Sequence, residues 1–467
     1  MTFDPVAASA SEIAQAVLVR DTTAVQVTEK LLARIAATHA RLNAFTAITR
    51  DRALAEAAAV DAAIAAKRDP GPLAGAPYAV KNLFDLTGVV TVAGSKINRD
   101  NPPATRDAVA VARLRAAGAI CLGAVNMGEY AYDFTNENSH DGAVHNPRDL
   151  IRSAGGSSGG SGAAVAAGLV SFALGTDTNG SIRVPASFCG IWGLKPTYGR
   201  LSRSGSFPFV DSLDHIGPFA RSVNDLAAVY DAMQGPDPLD PACAQRPIEP
   251  VTPFIEAGYS GIRLAVLGGY FDRGGEAPVH AAVEKVATAL GVKRRVELPV
   301  PEIARAAAYL ITASESGLLH TERLRARAAD FDPPIRDRLL AGALTPAAWY
   351  LQAQRFRTWW REQVREVFQS VDVLLAPATP LAASVLGQNT FIFNGREVPL
   401  RPSIGVFTQP ISFLGLPVVA APVHSVGPMP VAVQLIAAPW NEVALLRVAR
   451  ALELSGVCTA PVASLAP

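Results

Sequence analysis

Apolar residues recur at two spacings along the chain, and each spacing predicts one kind of element. Long segments with apolar residues at every third or fourth position predict amphipathic helices. Ser11 is positioned to cap the first helix, whose apolar stripe runs from Ile13 to Ile35, and the Ala-rich segment 52–67 predicts a second. Further helices are predicted at 107–117, 279–290, 303–328, 345–369 and 441–454.

Short continuous apolar runs lie between these helices and predict buried strands. They are 119–125, 170–174, 262–267 and 371–375. Another short apolar run, 76–81, ends on Lys81. Strands that alternate with long helices predict a layered α/β fold. The Pro-rich segment 235–253 is either a domain boundary or a surface excursion within one domain.

The composition excludes several classes of protein. The 467 residues include 42 Lys and Arg against 41 Asp and Glu, which leaves no positive excess for binding nucleic acid or an anionic membrane. With 49% hydrophobic and 18% charged residues, the chain is globular and can bury a large core. The N-terminus lacks a signal-peptide pattern, and the charge-free run 154–176 predicts a packed loop and helix rather than a membrane span.

Cysteine and lysine are both scarce, and each scarcity is informative. The four cysteines are scattered without a Cys-x-x-Cys pair, so we expect no disulfide framework, no metal site and a cytoplasmic location. Only seven of the 42 basic residues are lysines. A lysine that ends an apolar run, as Lys81 does, is therefore a candidate for a chemical role.

The run Gly155–Gly162 stacks glycines and serines ahead of an Ala-rich helix and permits three interpretations. A phosphate-binding loop is one, although the Gly-Lys-Ser/Thr ending is absent. A Gly-x-Ser-x-Gly nucleophile elbow is another, because Gly156–Gly160 satisfies the pattern, but 146–153 is not the buried strand that should precede it. The third is a Gly/Ser turn packed closely against another backbone.

A second candidate turn, Thr178–Ser181, follows the apolar run 170–174. A tight turn after a strand exposes a hydroxyl and directs successive N–H groups into one small space, which is the geometry of an oxyanion hole. A serine nucleophile also needs a base. His215, next to Asp214, leaves a Ser/His/Asp triad open.

Several motifs together resemble the amidase signature family. They are Tyr78–Asn82, the GGSSGG run, Asp177–Arg183, Gly193–Arg200, Ser212–Asp214, Ala376–Pro380 and Gly415–Pro417. The similarity extends from about residue 10 to 455. It implies one domain over 1–467 with an N-terminal helical segment at about 10–68, built as an α/β/α sandwich around a large mixed sheet.

The resemblance also implies a mechanism. Ser181 would be the acylated nucleophile, Ser157 the serine that relays its proton and Lys81 the base, with the backbone N–H groups of 178–181 as the oxyanion hole. A cis peptide bond would precede Ser157. A neutral lysine at pH 7 requires a pKa well below about 10.4, and burial can lower it by about 3–5. No cofactor or metal is expected.

One departure lies inside the active turn, where most relatives carry glycine and this chain carries Asn179. Asn tolerates a positive φ, so the turn can form, and its amide would project into the acyl pocket, which favours a small polar substrate. Tyr130 and Tyr132 are candidates for the pocket wall, although at least one is expected to be core.

Two features of the family bear on the choice of amide. In the family member that hydrolyses glutamine for the tRNA amidotransferase, an arginine binds the substrate carboxylate and an aspartate binds its amino group. The arginine is matched by Arg338, which could instead be a solvated helix charge, and the aspartate position is matched by Gly405. A carboxylate anchor without an ammonium anchor argues against glutamine.

Further runs resemble the 1-carboxybiuret hydrolases of cyanuric acid degradation. They lie at 82–85, 93–100, 129–132, 137–140 and 204–209. We therefore expect a small carboxylated urea derivative to lose ammonia through an acyl-enzyme on Ser181. The resemblance implies an oligomer and a small accessory subunit, similar to the short subunit of the tRNA amidotransferase. The alternatives are a glutamine-hydrolysing component of a tRNA-dependent amidotransferase, an amidase of other small amides or ureides, and an inactive scaffold.

Overall fold

A mixed eleven-stranded sheet runs through residues 3–465, the part of the chain that the computed structural model describes. Its strands are β1 (Phe45–Ile48), β2 (Pro77–Lys81), β3 (Ile120–Val125), β8 (Phe172–Asp177), β9 (Trp192–Lys195), β10 (His215–Ala220), β11 (Leu264–Leu267), β12 (Arg295–Val296), β13 (Val373–Pro377), β16 (Val418–Val423) and β17 (Val431–Ala437). Three hairpins lie outside it, formed by β4 (Glu137–Asn138) with β5 (Gly142–Ala143), β6 (His145–Asn146) with β7 (Asp149–Ser153), and β14 (Thr390–Phe393) with β15 (Arg396–Pro399).

The strand order in the large sheet is β1-β3-β2-β8-β10-β9-β16-β17-β13-β11-β12. The pairs β2–β3, β2–β8, β11–β12 and β11–β13 are parallel, and the other pairs are antiparallel. Parallel neighbours require crossover connections, which the helices supply.

The α-helices within the described residues occupy most of the chain between the strands. They are α1 (Ala10–Leu18), α2 (Ala24–Leu42), α3 (Arg50–Ala65), α4 (Val109–Ala116), α5 (Gly159–Ala166), α6 (Arg183–Cys189), α7 (Val223–Met233), α8 (Ala277–Ala289), α9 (Pro301–Leu319), α10 (Thr321–Arg327), α11 (Pro333–Ala343), α12 (Ala347–Phe368), α13 (Leu400–Ser403), α14 (Gln409–Ser412) and α15 (Glu442–Leu454). Within residues 3–465, none of them has the length and apolar character needed to span a membrane.

Side chains of the central strands alternate between two hydrophobic cores. Tyr78 and Val80 of β2 belong to one cluster of buried residues, whereas Ala79 belongs to another. In β8 the same alternation separates Phe172 from Ala173. A strand buried on both faces reads as a continuous apolar run, which is why these strands could be recognised in the sequence. The predicted α/β class with a large mixed sheet is confirmed.

Two predicted helices are interrupted, and one predicted cap is wrong. Ser9, rather than Ser11, caps α1, in a reciprocal capping box with Glu12. Ser11 instead donates its hydroxyl to Asp225 at 2.7 Å. The first helical stripe breaks at residues 19–23 between α1 and α2, and the helix predicted at 303–328 breaks at His320.

The Pro-rich segment 235–253 runs along the surface between α7 and β11, and strands before and after it share the large sheet. Its acidic side chains bind the preceding loop. Ser202 donates its hydroxyl to Asp237, and Arg203 forms an ion pair with Asp240 at 3.0 Å. The segment is therefore an excursion from the sheet and does not divide it.

Candidate active site

Two parallel strands bring the candidate catalytic residues to one edge of the sheet. Tyr78, Ala79 and Val80 of β2 pair with residues 172–174 of β8, so both strands end in the same direction. Lys81 is the last residue of β2, and the turn that contains Ser181 follows β8 directly. Carboxyl ends of parallel strands are the usual location of ligand sites in α/β sheets.

Lys81 lies within hydrogen-bond distance of two hydroxyl groups. Its Nζ donates to Ser157 Oγ at 2.6 Å and to Thr176 Oγ1 at 2.8 Å. Lys81 and Ser157 have no exposed surface, and Thr176 is 7% exposed. Thr176 was missed by sequence reasoning because it reads as the polar end of an apolar strand.

Burial lowers the pKa of Lys81 to about 7, although the carboxylates of Asp214 and Asp177 act in the opposite direction. Lysine loses its proton more readily in a medium that solvates the cation poorly. A substantial fraction of Lys81 is therefore the neutral amine near neutral pH, as a general base requires.

Of the three interpretations of the run Gly155–Gly162, the structure supports the closely packed turn. The Gly156–Ser157 peptide bond is cis, as the resemblance implies. Gly155 has φ +78°, and a Cβ there would lie 2.9 Å from Pro185 Cα, so the close approach leaves no room for a side chain. The preceding strand, β7, pairs with β6 and forms one isolated bridge, Arg152 with Val385, but it lies outside the large sheet, so the run is not a nucleophile elbow.

A buried ion pair holds the second turn. The Asp177 carboxylate accepts hydrogen bonds from Arg183 Nε and from the Gly180 N–H, at 2.9 and 2.8 Å. Burial would raise the pKa of Asp177, but Arg183 outweighs it and holds that pKa well below its usual range. At the other side of the turn, Thr178 donates its hydroxyl to Asp214 at 2.6 Å. The motifs that contain Asp177, Arg183 and Asp214 were recognised in the sequence, but their role in holding the turn was not predicted.

Three of the four predicted oxyanion N–H groups remain available. Within residues 3–465 the N–H groups of Thr178, Asn179 and Ser181 make no hydrogen bond, whereas that of Gly180 is taken by Asp177. The positive φ of +140° belongs to Gly180, so the turn forms without using the tolerance of Asn179 for a positive φ. Unengaged backbone N–H groups in a turn are the kind of donor that can hold an oxyanion.

Ser181 lies in the wall of a small chamber and is 3% exposed. The other wall residues are Ala131, Tyr132, Asp133, Phe134, Thr178, Asn179, Phe209, Tyr309, Thr312, Arg338 and Gln409. The hydroxyl of Ser181 makes no hydrogen bond within the described residues, so Lys81 and Ser157 are joined to each other but not to Ser181. Catalytic hydrogen bonds commonly tighten only when substrate is present.

The two tyrosines predicted for the pocket wall occupy different places. Tyr132 lines the chamber, and the Arg338 guanidinium lies 3.8 Å from its ring centroid and donates to its carbonyl oxygen at 2.8 Å. Tyr130 is absent from the chamber wall. Its hydroxyl donates to Asn98 and its ring lies 4.1 Å from that of His320, so it is part of an aromatic core.

The structure leaves no room for an aspartate at position 405. A Cβ on Gly405 would lie 2.6 Å from the Phe134 ring. The nearest candidate carboxylate in the chamber wall, Asp133, is paired with Arg401 at 3.2 Å. Among the described residues, the chamber wall therefore offers a cation, Arg338, but no unpaired anion for a substrate ammonium group.

His215 does not form a serine triad. Its Nδ1 contacts the carbonyl oxygens of Leu213 and Asp177, at 2.6 and 3.0 Å, and burial lowers its pKa well below the usual range. A histidine held in this way packs against the main chain, and among the described residues it makes no hydrogen bond to a serine. No group of three His, Cys, Asp or Glu side chains within residues 3–465 is placed to bind a metal ion.

The chain belongs to the amidase signature family, since the model of the family described as Amidase matches residues 26–446. It is an enzyme that acts on C–N amide bonds. It is 55% identical to the AtzE component of 1-carboxybiuret hydrolase from Pseudomonas sp. (strain ADP), over 96% of this chain and 98% of that protein. It is 41% identical to a glutamyl-tRNA(Gln) amidotransferase chain, the GatA-type component, of Anaeromyxobacter sp. (strain K), over 92% of each.

Solved structures give the same assignment. One described as an unexpected vestigial protein complex that reveals the origins of an s-triazine catabolic enzyme has a TM-score of 0.96 at 54% identity, covering 97% of this chain and 99% of that chain. The corresponding glutamyl-tRNA(Gln) amidotransferase chain from Thermotoga maritima has a TM-score of 0.82 at 28% identity, covering 99% of both chains.

Proposed function

We propose that Ser181, Ser157 and Lys81 carry out amide hydrolysis as a proton relay. Neutral Lys81 accepts the proton of Ser157, and Ser157 accepts the proton of Ser181 as its Oγ attacks the carbonyl carbon. The C–N bond then breaks, and the relayed proton goes to the leaving nitrogen, which departs as ammonia. Water then attacks the acyl carbon and gives its proton to Ser157 as Ser157 passes its own to Lys81; the bond between the acyl carbon and Ser181 Oγ breaks, the relayed proton returns to Ser181, and the acid is released.

The N–H groups of Thr178, Asn179 and Ser181 would hold the negative charge that develops on the carbonyl oxygen. Fixed donors in a site without bulk water stabilise such a charge without reorganisation. Asp177, through Arg183 and Gly180, and Asp214, through Thr178, would fix the positions of these donors.

We propose a 1-carboxybiuret-like substrate, that is, a small urea derivative with a carboxylate. The observation that carries this proposal is the chamber itself, which combines Ser181 with Arg338 and has no unpaired carboxylate in the part of the chain that the structure describes. The guanidinium of Arg338 would bind the substrate carboxylate. The similarity to 1-carboxybiuret hydrolase supports the same choice.

Glutamine is the second candidate, because chains of glutamyl-tRNA(Gln) amidotransferase are also similar over most of the sequence. Ammonia release from 1-carboxybiuret, allophanate, biuret, malonamate and glutamine, measured side by side, separates the two. We expect 1-carboxybiuret to have the highest kcat/KM. Ammonia from glutamine alone would overturn the choice of substrate, and full turnover by Ser181→Ala would overturn the mechanism.

We further propose that the chain is one domain that works in the cytoplasm as an oligomer with a small accessory subunit. The single large sheet supports the first point, and four buried, unpaired cysteines suit a reducing compartment. The related complex supports the partner. Co-expression with candidate small subunits, followed by measurement of molar mass in solution, tests it; a chain that stays monomeric and fully active alone would contradict it.

A further inference from the structure

Asn179 places an unsatisfied acceptor in the wall of the chamber. The residue is only 7% exposed, and its Oδ1 has no hydrogen-bond partner within residues 3–465. A buried acceptor without a partner is costly, because it has lost its hydrogen bonds to water. Such an atom in the wall of a substrate chamber, beside the nucleophile, points to a donor on the ligand.

The rest of Asn179 is held in place from both sides. Its Nδ2 donates to Thr312 Oγ1 of α9 at 2.8 Å, and its carbonyl oxygen accepts from Thr408 Oγ1 at 2.6 Å. Thr312 also lines the chamber. With Nδ2 engaged, Oδ1 is the part of the amide that remains for a ligand.

The position of Asn179 in the chain determines which part of a substrate it meets. It lies two residues before Ser181, in the turn whose N–H groups we assign to the oxyanion hole, and both side chains line the same chamber. The atom next to the scissile carbonyl is therefore the nearest substrate group. In a ureide that atom is an N–H, whereas in an ordinary amide it is a CH₂, which cannot donate.

We propose that Asn179 Oδ1 accepts a hydrogen bond from the N–H adjacent to the scissile carbonyl and so selects ureides over carbon-chain amides. This inference rests on the proposed function and assigns Asn179 a second role, through its side chain, besides that of its backbone N–H. The Asn179 oxygen would also repel the carboxylate of the substrate, so that carboxylate binds Arg338 instead.

Allophanate and malonamate provide the test, because they have the same order of groups and differ by N–H against CH₂ between the carboxylate and the amide carbonyl; the difference in shape between them is the same for wild type and variant. The measurement is the ratio of their inhibition constants against the best amide substrate. Damage to the oxyanion turn affects both compounds alike, so the ratio isolates the single hydrogen bond. We expect the wild type to bind allophanate more tightly and Asn179→Ala to reduce that preference about tenfold.

Three further variants act as controls. Asn179→Gly should lose the preference as Asn179→Ala does, Thr312→Val should weaken it, and Thr312→Ser, which keeps the hydroxyl, should retain it. An unchanged ratio in both Asn179 variants, or no inhibition by either compound, overturns the inference. The proposed function fails by a different result, ammonia from glutamine and not from 1-carboxybiuret, so the two failures are distinguishable.

Discussion

Thr176→Val tests whether Lys81 is the base. Valine has nearly the same shape as threonine and suits a buried strand, so β8 should keep its structure. The substitution removes the oxygen that lies 2.8 Å from Lys81 Nζ and leaves the 2.6 Å contact with Ser157. It therefore changes the environment of the amine without altering either serine.

The expected magnitude follows from the contacts of the amine. Burial lowers the pKa of Lys81 to about 7, and the charged form is the one that gains from donating to Thr176. A hydrogen bond to a charged group contributes about 1.5–3 kcal/mol. In the variant the amine can rotate and recover part of this energy through its contact with Ser157. A change of about 1.36 kcal/mol corresponds to a pKa shift of about one pH unit. The pKa of Lys81 should fall by about one pH unit, to about 6.

The assay is the pH dependence of kcat/KM, whose acidic limb reports the free enzyme's base. The limb should move from about pH 7 in the wild type to about pH 6 in Thr176→Val. The plateau should fall about tenfold, because the neutral amine loses the contact that orients it. Thr176→Ser should behave as the wild type. An acidic limb at the same pH in all three proteins would refute the assignment of Lys81.

Three other substitutions have outcomes that the structure determines. Arg183→Met leaves the buried Asp177 carboxylate unpaired and should lower the free energy of unfolding by about 3–5 kcal/mol, measured with urea. Within residues 3–465 neither ring nitrogen of His320 has a hydrogen-bond partner, and burial lowers the pKa of His320 to about 3, so stability should decline as the pH falls from about 6.5 towards 3. His320→Phe should show a smaller loss between pH 7.5 and 4.5, and an equal loss would contradict this account. Gly405→Asp should lower the melting temperature through its clash with Phe134 without producing ammonia from glutamine; a gain of glutaminase activity would show that the position can hold an anchor.

Local patterns predicted some of the elements that are buried on both faces, although β9, β16 and β17 are buried at every position and were not predicted. The apolar runs at 119–125 and 170–174 correspond to β3 and β8, because a strand covered by helices on both sides is apolar at every position. The strand β10 was not predicted, although it pairs with β8, since it contains His215 and Pro218 and reads as a loop. Its place in the sheet depends on its neighbours.

In the candidate site, too, some residues could be recognised from local motifs and others could not. Lys81, Ser157 and Ser181 stand in motifs that can be recognised in the sequence. Their catalytic roles remain a prediction. Thr176 and Thr312 could not be recognised, because isolated threonines in a strand and a helix carry no local signal. Their contacts join residues 95 and 133 positions apart in the chain.

The sequence by itself determined the family, the α/β class and the types of residue available for chemistry, because these depend on motifs and on apolar spacing within short segments. The tertiary structure decided that Tyr132 lines the chamber and Tyr130 does not, that Gly180 rather than Asn179 takes the positive φ, and that no side chain fits at Gly405. Each of these depends on which distant atoms approach within a few ångströms. Packing of segments far apart in the chain sets that distance, and no local pattern records it.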